Sequence, residues 1–392
     1  MALGQLPALV YIDGCRMKIA NLVLNNFVND SRVLKTSKSL SSLGYDVCIV
    51  AMHDEGLKEK DLVGNVPVRR IKLTSRHWSK RKAVQLIKLF EFVFRFVFLC
   101  RKVDVVHCND LNGLFVGFCC KLTRPSLVLV YDSHEYSINP LPGQNFLTVK
   151  FNYFAEFFLI RFAEQVINVS ESIASEYERL YNIPKPHLVL NCPNYYEQPK
   201  RNLFRENLDI RKDQTIFLYQ GGLGKGRGIE LLLEAFSNLD SDRNVLVCMG
   251  YGPLEALIQE KAQQQSTIFF HPAVTPDVLL NYTSSADYGV SFIEDSCLSY
   301  RYCLPNKMFE YLMAGLPVLT SNLFEMKRLV ETEGVGIVAE ENTVDGFKKA
   351  VEASLNQDYA TIQKNVFAVR KKYCWEEQEE NLKHIYEGLI DE

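Results

Sequence analysis

Several features are missing from this chain, and each absence narrows the reading. No stretch free of charged residues reaches 18 residues, so a membrane-spanning helix is not expected. The 11 cysteines form no Cys-x-x-Cys pair; only Cys119 and Cys120 are adjacent, and no histidine stands at zinc spacing from Cys297 or Cys303. A disulfide-framework miniprotein is excluded by length, and the scattered cysteines read as reduced thiols packed as small hydrophobes in a cytoplasmic protein. The apolar stretch Leu6–Ile12 has no basic region before it and does not read as a signal peptide. Low hydrophobicity and high net charge are both lacking: the chain is 47% apolar and 23% charged, with a net charge of −3. Disorder as the main state is therefore excluded.

What is present begins with an asymmetry. Residues 1–200 carry 25 Lys+Arg against 18 Asp+Glu, a net +7, whereas residues 201–392 carry 19 against 29, a net −10. Two halves of opposite charge suggest two jobs, or one job with a charged partner on one side. The length of 392 residues fits two or three domains. Short β-branched runs alternate with helical periodicity: strands are expected at Lys18–Leu24, Tyr45–Met52, Val103–Cys108, Leu127–Asp132 and Gln165–Val169. A Pro- and Asn-rich linker follows from Asn191 to about Gln214. The alternation then restarts with strands at Thr215–Gln220, Asn244–Met249, Ile268–His271, Tyr288–Phe292 and Pro317–Thr320. The fold class expected is α/β, with two Rossmann-like doubly wound domains facing across a cleft, over residues 1–195 and 196–370. Ligands of such sheets bind beyond the carboxyl ends of the strands.

The motifs fall at those ends. In LPNKMFEYLMAGLPV, Pro305 and Asn306 start a helix that Gly315 and Pro317 stop. The free N–H groups at its start suit a phosphate, Lys307 adds a positive charge, and Glu310 one turn on could hold a ribose diol, or be a solvated residue of an ordinary helix. In GGLGKGRG, glycines 221, 222, 224, 226 and 228 let the backbone approach an anion, with Lys225 and Arg227 supplying charge; the alternative is a plain flexible turn. Gly250-Tyr-Gly252-Pro is a third strand-to-helix turn. In the basic half, Asp132-Ser-His134-Glu135 ends one strand and His107-Cys-Asn-Asp110 another; His134 suits a sugar hydroxyl or proton transfer, or is a structural loop histidine. Asp30 reads as a helix N-cap.

Together NDSRV, DSHE, GGLGKGRG, GYGP and LPNKMFEYLMAGLPV resemble family 4 of the retaining nucleotide-sugar glycosyltransferases, which have the GT-B fold, over nearly the whole chain from about Lys18. The resemblance implies an acceptor held mainly by the N-terminal domain and a nucleotide-diphosphate sugar donor held by the C-terminal one. It also implies that the helix within 371–392 returns to the N-terminal domain through Trp375 and Tyr386. Glu310 matches the second glutamate of the paired-glutamate motif, the one that holds ribose; Tyr302 stands where the first belongs. Gly222 stands at the usual arginine and Arg227 near the usual lysine, so Lys225 or Lys307 would replace the other charge. His134 matches the acceptor-side histidine near the donor sugar.

The expected site thus has His134, Arg227 and Lys225 as catalytic residues. Gly221, Gly222, Gly250, Gly252, Pro305, Asn306, Lys307 and Glu310 would bind the donor, with Asp110 and Glu135 on the acceptor side. No metal or cofactor is expected. The chemistry implied is retaining transfer to a hydroxyl acceptor in polysaccharide or glycolipid biosynthesis, with the leaving diphosphate itself taking the acceptor's proton. A nucleotide-sugar epimerase on the same fold, or a catalytically silent nucleotide-sugar-binding protein, are the alternatives.

The basic excess concentrates in Arg69–Lys82: residues 69, 70, 72, 76, 80, 81 and 82 are basic, none is acidic, and Trp78 lies among them. The apolar stretches Ala83–Cys100 and Phe146–Phe162 follow. They read either as buried helices beside a solvated loop or as a surface facing anionic lipid, placing the protein in the cytoplasm, peripheral at the inner membrane face. The expected partners are the donor, a saccharide or lipid-linked acceptor and an anionic membrane, but not nucleic acid.

Overall fold

A computed structural model describes residues 11–389 except 13, 14, 29, 80, 141, 198, 240 and 241. Lys80 of the basic run, Asn29 of the NDSRV stretch and most of Leu6–Ile12 lie outside the described residues. The chain divides into two compact units: Met1–Ile138, Asn145–Val189 and Glu379–Glu392 form the first, and Asn139–Gln144 with Leu190–Gln378 the second. The first contains strands β1 (Tyr11–Ile12), β2 (Cys15–Arg16), β3 (Lys18–Leu22), β4 (Asp46–Met52), β5 (Lys60–Val63), β6 (Val66–Ile71), β7 (Val105–Asn109), β8 (Val128–Ser133), β9 (Gln165–Asn168) and β10 (His187–Leu188). The second contains β11 (Thr215–Gly222), β12 (Asn244–Tyr251), β13 (Ile268–Pro272), β14 (Tyr288–Ser291), β15 (Val318–Thr320) and β16 (Gly336–Val338).

In the first unit β1 and β2 pair with each other, and the other eight strands form a sheet in the order β10-β9-β8-β7-β3-β4-β6-β5. It is parallel except for the β5–β6 hairpin. Gly64 and Asn65 turn that hairpin at φ 53° and 68°, the pair of positive values a two-residue hairpin turn requires. The connections β6→β7, β7→β8 and β8→β9 all step the same way across the sheet. Right-handed crossovers therefore lay the helices Lys82–Leu99, Asp110–Thr123 and Phe146–Leu159 on one face.

The second unit is a six-stranded sheet, wholly parallel, in the order β13-β12-β11-β14-β15-β16. Its central strands bury both faces. Ile216 and Leu218 of β11 join one core with Val245 and Val247 of β12, while Phe217, Tyr219, Leu246 and Cys248 join the other. The period-2 alternation sends successive apolar side chains to opposite layers of helices.

Several expectations change. The strands β1, β2, β5, β6, β10 and β16 escaped the sequence reading, and the expected linker contains a helix, Leu203–Leu208, pinned by buried Phe204. The chain passes into the second unit after Val189 and dips into it earlier, at Asn139–Gln144. The final helix, Trp375–Gly388, passes between units after Gln378. Trp375 therefore stays with the second unit, where its N–H donates to the Pro193 carbonyl at 2.7 Å; Tyr386 belongs to the first. Cys120 and Cys248 are buried free thiols whose pKa burial pushes up to about 12, so they act as packing groups. Among the described residues no helix is long and apolar enough to cross a membrane.

Candidate active site

Each sheet reverses its strand order once, between β3 and β7 in the first unit and between β11 and β14 in the second. Both motif clusters gather at the carboxyl ends flanking these points, where open α/β sheets bind ligands.

In the second unit, β11 runs into the glycine loop. Gly221 sits at φ 115° and Gly228, the N-cap of the Ile229–Ser237 helix, at φ 69°. A Cβ on Gly228 would come within 2.8 Å of the Phe292 carbonyl oxygen, so only glycine fits there. A Cβ on Gly250 would lie 1.9 Å from the Gly221 carbonyl oxygen, and one on Gly252 2.5 Å from that of Leu223. These two glycines let the β12 turn press against the glycine loop and fix its shape. Gly222 and Lys225 are exposed.

The Asn306–Ala314 helix begins after Pro305, with no side chain capping its first turn, and closes at Gly315 with φ 86°. Lys307, in that first turn, is buried, and its Nζ lies 3.5 Å from the centroid of the Tyr219 ring. The Nζ has no hydrogen-bond partner. Burial, reinforced by the nearby charge of Arg227, lowers its pKa to about 7. Arg227 itself is half-buried, with its guanidinium 5.1 Å from the Tyr300 ring centroid. One turn beyond Lys307, Glu310 accepts a hydrogen bond from Gln220 Nε2, and Gln220 Oε1 in turn accepts one from Thr283 Oγ1 at 2.8 Å. Tyr302 is half-buried in the segment before Pro305. Lys307, Arg227, Gly221 and Glu310 therefore converge on the ends of β11 and its neighbours, whereas Lys225 points to solvent.

In the first unit a network closes on Asp132. Arg32 Nη2 and Nε donate to its two oxygens at 2.7 and 2.9 Å, and Arg32 Nη1 donates to the Val189 carbonyl at 2.8 Å. His107 Nε2 donates to Asp132 at 3.3 Å, which leaves its Nδ1 to accept from the Tyr386 hydroxyl at 2.8 Å. Burial alone would raise the Asp132 carboxyl; Arg32, His134 and the His107 hydrogen bond instead hold it well below the usual carboxylate range. The Asn109 amide donates to Asn21 and to the Leu22 carbonyl at 2.8 Å, so its oxygen faces His134 Nε2 at 2.9 Å and the His134 proton sits on Nε2. Burial pulls the His134 pKa down, but Asp110 and Asp132 outweigh it and raise the value. Asp110 stands at φ 59°, rare for a residue with a side chain, and there its carboxylate accepts the His134 backbone N–H at 3.2 Å. Glu135 is exposed.

Asp30 accepts from the Val33 N–H as an N-cap. The sequence reading missed Arg32 two residues later, and it passed over Asp132 beside His134. Signals for both existed: a basic residue in a helix's first turn after a strand, and a carboxylate in a strand-end Asp-Ser-His. Among the described residues no group of three or more His, Cys, Asp or Glu side chains could hold a metal. The one Asp-x-Asp triplet of the chain, residues 240–242, precedes β12; Asp242 there pairs with Arg211 at 2.9 Å, and the other two lie outside the described residues.

Residues 31–192 match the family described as Glycosyltransferase Family 4, and residues 214–357 match Glycosyl transferases group 1. The chain belongs to glycosyltransferase family 4. This family-4 enzyme is 25% identical over 312 residues to an uncharacterized glycosyltransferase of Methanocaldococcus jannaschii, across 74% of this chain and 76% of that one. It is also 25% identical to the lipopolysaccharide 1,2-N-acetylglucosaminetransferase of Salmonella typhimurium, over 54% of this chain and 59% of the relative. Among solved structures it resembles a sucrose-phosphate synthase from Thermosynechococcus elongatus, with TM-score 0.79, 18% identity and coverage of 96% and 100% of the two chains. It likewise resembles an Anabaena protein solved with UDP-glucose, with TM-score 0.74, 15% identity and coverage of 95% and 100%. These likenesses fix the fold as GT-B, built of two Rossmann-like domains.

Proposed function

We propose that this glycosyltransferase moves a sugar, with retention of anomeric configuration, from a nucleotide-diphosphate sugar to a hydroxyl of a saccharide or lipid-linked acceptor in polysaccharide or glycolipid biosynthesis. The observation that carries the donor class is Lys307: a buried amine with no hydrogen-bond partner, beside the glycine loop and an uncapped helix start. Such a group is costly to bury unless an anion completes it. A diphosphate supplies that anion, and the binding of UDP-glucose by a protein of the same fold supports the choice.

In this reading the helix N–H groups, Lys307 and Arg227 take up charge as the bond from anomeric carbon to phosphate loosens. Glu310, steadied by Gln220, receives the ribose hydroxyls. The leaving diphosphate accepts the acceptor's proton, so no protein base is needed. His134, with its proton fixed on Nε2, offers Nδ1 to a sugar hydroxyl.

A thermal-shift screen of nucleoside diphosphates and their sugars identifies the donor, and nucleotide release with candidate acceptors follows. Glu310→Ala is expected to weaken nucleotide binding by about 10- to 100-fold in calorimetry, the scale of hydrogen bonds to a charged group. Unchanged affinity would return Glu310 to an ordinary helix position. Donor conversion without acceptor would mark an epimerase, and binding without turnover a silent module.

A further inference from the structure

The helix layer on one face of the first unit is finished on its inner side and left open on its outer side. In the Lys82–Leu99 helix, Phe92, Val93 and Phe96 are buried, while Leu86, Phe90, Phe94 and Phe98, spaced four apart on one stripe, are exposed. In the Phe146–Leu159 helix, Leu147, Phe151, Phe154 and Phe158 are exposed, Phe151 to 72%. Between them lies the Asp110–Thr123 helix, with Leu122 exposed and Phe118 packed on Phe158 at 5.6 Å between ring centroids. A groove of about 740 Å³ runs along the first and middle helices, lined by Phe90, Phe94, Phe98 and Cys119, with Arg101 and Arg124 also in its wall.

The outward orientation is anchored from below. Glu156, fully buried, accepts hydrogen bonds from the hydroxyls of Tyr131, Tyr177 and Tyr181 at 2.5, 2.6 and 2.6 Å. That polar pin fixes which side of its helix meets the sheet and leaves the phenylalanines facing out.

Cations edge the face. Arg101 lies 4.3 Å from the Phe98 ring centroid, Lys150 4.5 Å from that of Phe146 and Arg161 3.7 Å from that of Phe157. From Arg69 to Lys102 the sequence holds 11 basic residues and one acid, Glu91. Exposed Trp78 sits within that run. Large apolar side chains clustered on one face in this way, rather than scattered singly, mark an interaction surface.

We propose that this three-helix face docks in the headgroup–acyl boundary of a bilayer containing anionic lipid. The aromatic and aliphatic stripes enter the acyl edge, and Arg101, Lys150, Arg161 and the exposed Arg81 at the start of the first helix meet the phosphates. A second copy fits less well, because a two-fold contact would set this cationic rim against itself. The inference goes beyond the reading of the donor site, and its test uses neither donor nor acceptor.

The test is cosedimentation of the full chain with phosphatidylcholine vesicles, with and without about one-third phosphatidylglycerol. The wild-type chain is expected to pellet with anionic vesicles at low salt. The double variant Phe94→Asp/Phe151→Asp is expected to lose at least about tenfold in vesicle affinity with its melting temperature unchanged. Arg101→Glu/Lys150→Glu is expected to weaken anionic binding by roughly fivefold per removed cation while sparing neutral vesicles. Three results would overturn the proposal: wild-type protein left in the supernatant, variants that bind like wild type, or a soluble dimer that Phe94→Asp dissociates with no vesicle binding. The last would assign the face to a second copy.

Discussion

Arg32 and Asp132, both nearly excluded from solvent, close on each other at the strand ends of the first unit. Lys307, buried at the strand ends of the second, has no hydrogen-bond partner. The same topological position thus holds two kinds of electrostatics. In the first unit the Arg32–Asp132 pair is completed by His107, Tyr386 and Val189, so its cost of burial is met within the protein. In the second the Lys307 amine rests on the Tyr219 ring with no hydrogen-bond acceptor, and its lowered pKa shows that the desolvation penalty outweighs the pull of Glu310. A closed network orients neighbouring groups, here His134; an open one stores binding energy for an anion. The difference is expected to separate residues whose loss harms folding from residues whose loss harms the proposed reaction.

The largest expected effect breaks the closed side. Asp132→Ala leaves the Arg32 guanidinium buried without its carboxylate, and a loss of about 3–5 kcal/mol of stability is expected from chemical denaturation. A loss below about 1 kcal/mol would mean that water reaches Arg32 and that the network is not closed. The open side should behave the other way. Arg227→Ala is expected to leave the denaturation midpoint nearly unchanged and to lower turnover by roughly 10²–10³, the scale of one lost charge-stabilising donor. A folded variant with unaltered turnover would remove Arg227 from the reaction.

How far these roles could be read in the sequence depended on how local their causes are. The glycine loop, the Pro305 helix start and the Gly315 stop are dictated by neighbours within a few positions, and they were legible. The Arg32–Asp132 pair joins residues 100 positions apart, so only the strand order brings them together. Charge counting misled at Arg70. It belongs to the basic run, yet it is buried, ion-paired with Asp61 at 3.0 Å and bonded to the carbonyls of Asn26 and Lys58. The run's alternation Val66-Pro-Val68-Arg69-Arg70-Ile71 is a strand whose hairpin turn, Gly64-Asn65, was there to be read. The helices Lys82–Leu99 and Phe146–Leu159 are apolar on most sides. Periodicity therefore left open whether they were buried; the Glu156–tyrosine pin and the helix layer decide which stripe faces out.

The smallest effect sharpens the comparison at a single proton. With its pKa lowered to about 7, Lys307 is largely neutral at pH 8 in the free protein. A bound diphosphate restores the charged form, so binding should draw in about one proton at that pH. Calorimetry of nucleoside diphosphate binding in HEPES and in Tris, whose ionisation enthalpies differ, reads that uptake directly. In Lys307→Met it should vanish. Wild-type affinity should also fall about fiftyfold from pH 7 to pH 9 relative to the variant, as the free lysine must first be protonated. The sign for stability is opposite. Between the folded value of about 7 and the ordinary lysine value of 10.5, the unfolded chain keeps a proton that the folded chain has released. Stability of the free wild-type protein should therefore rise with pH across that window relative to Lys307→Met, while below pH 7 the buried ammonium is a constant cost. Equal proton uptake in the two proteins would show that Lys307 is not the group completed by the anion, and the contrast between a closed and an open set of strand ends would lose its second half.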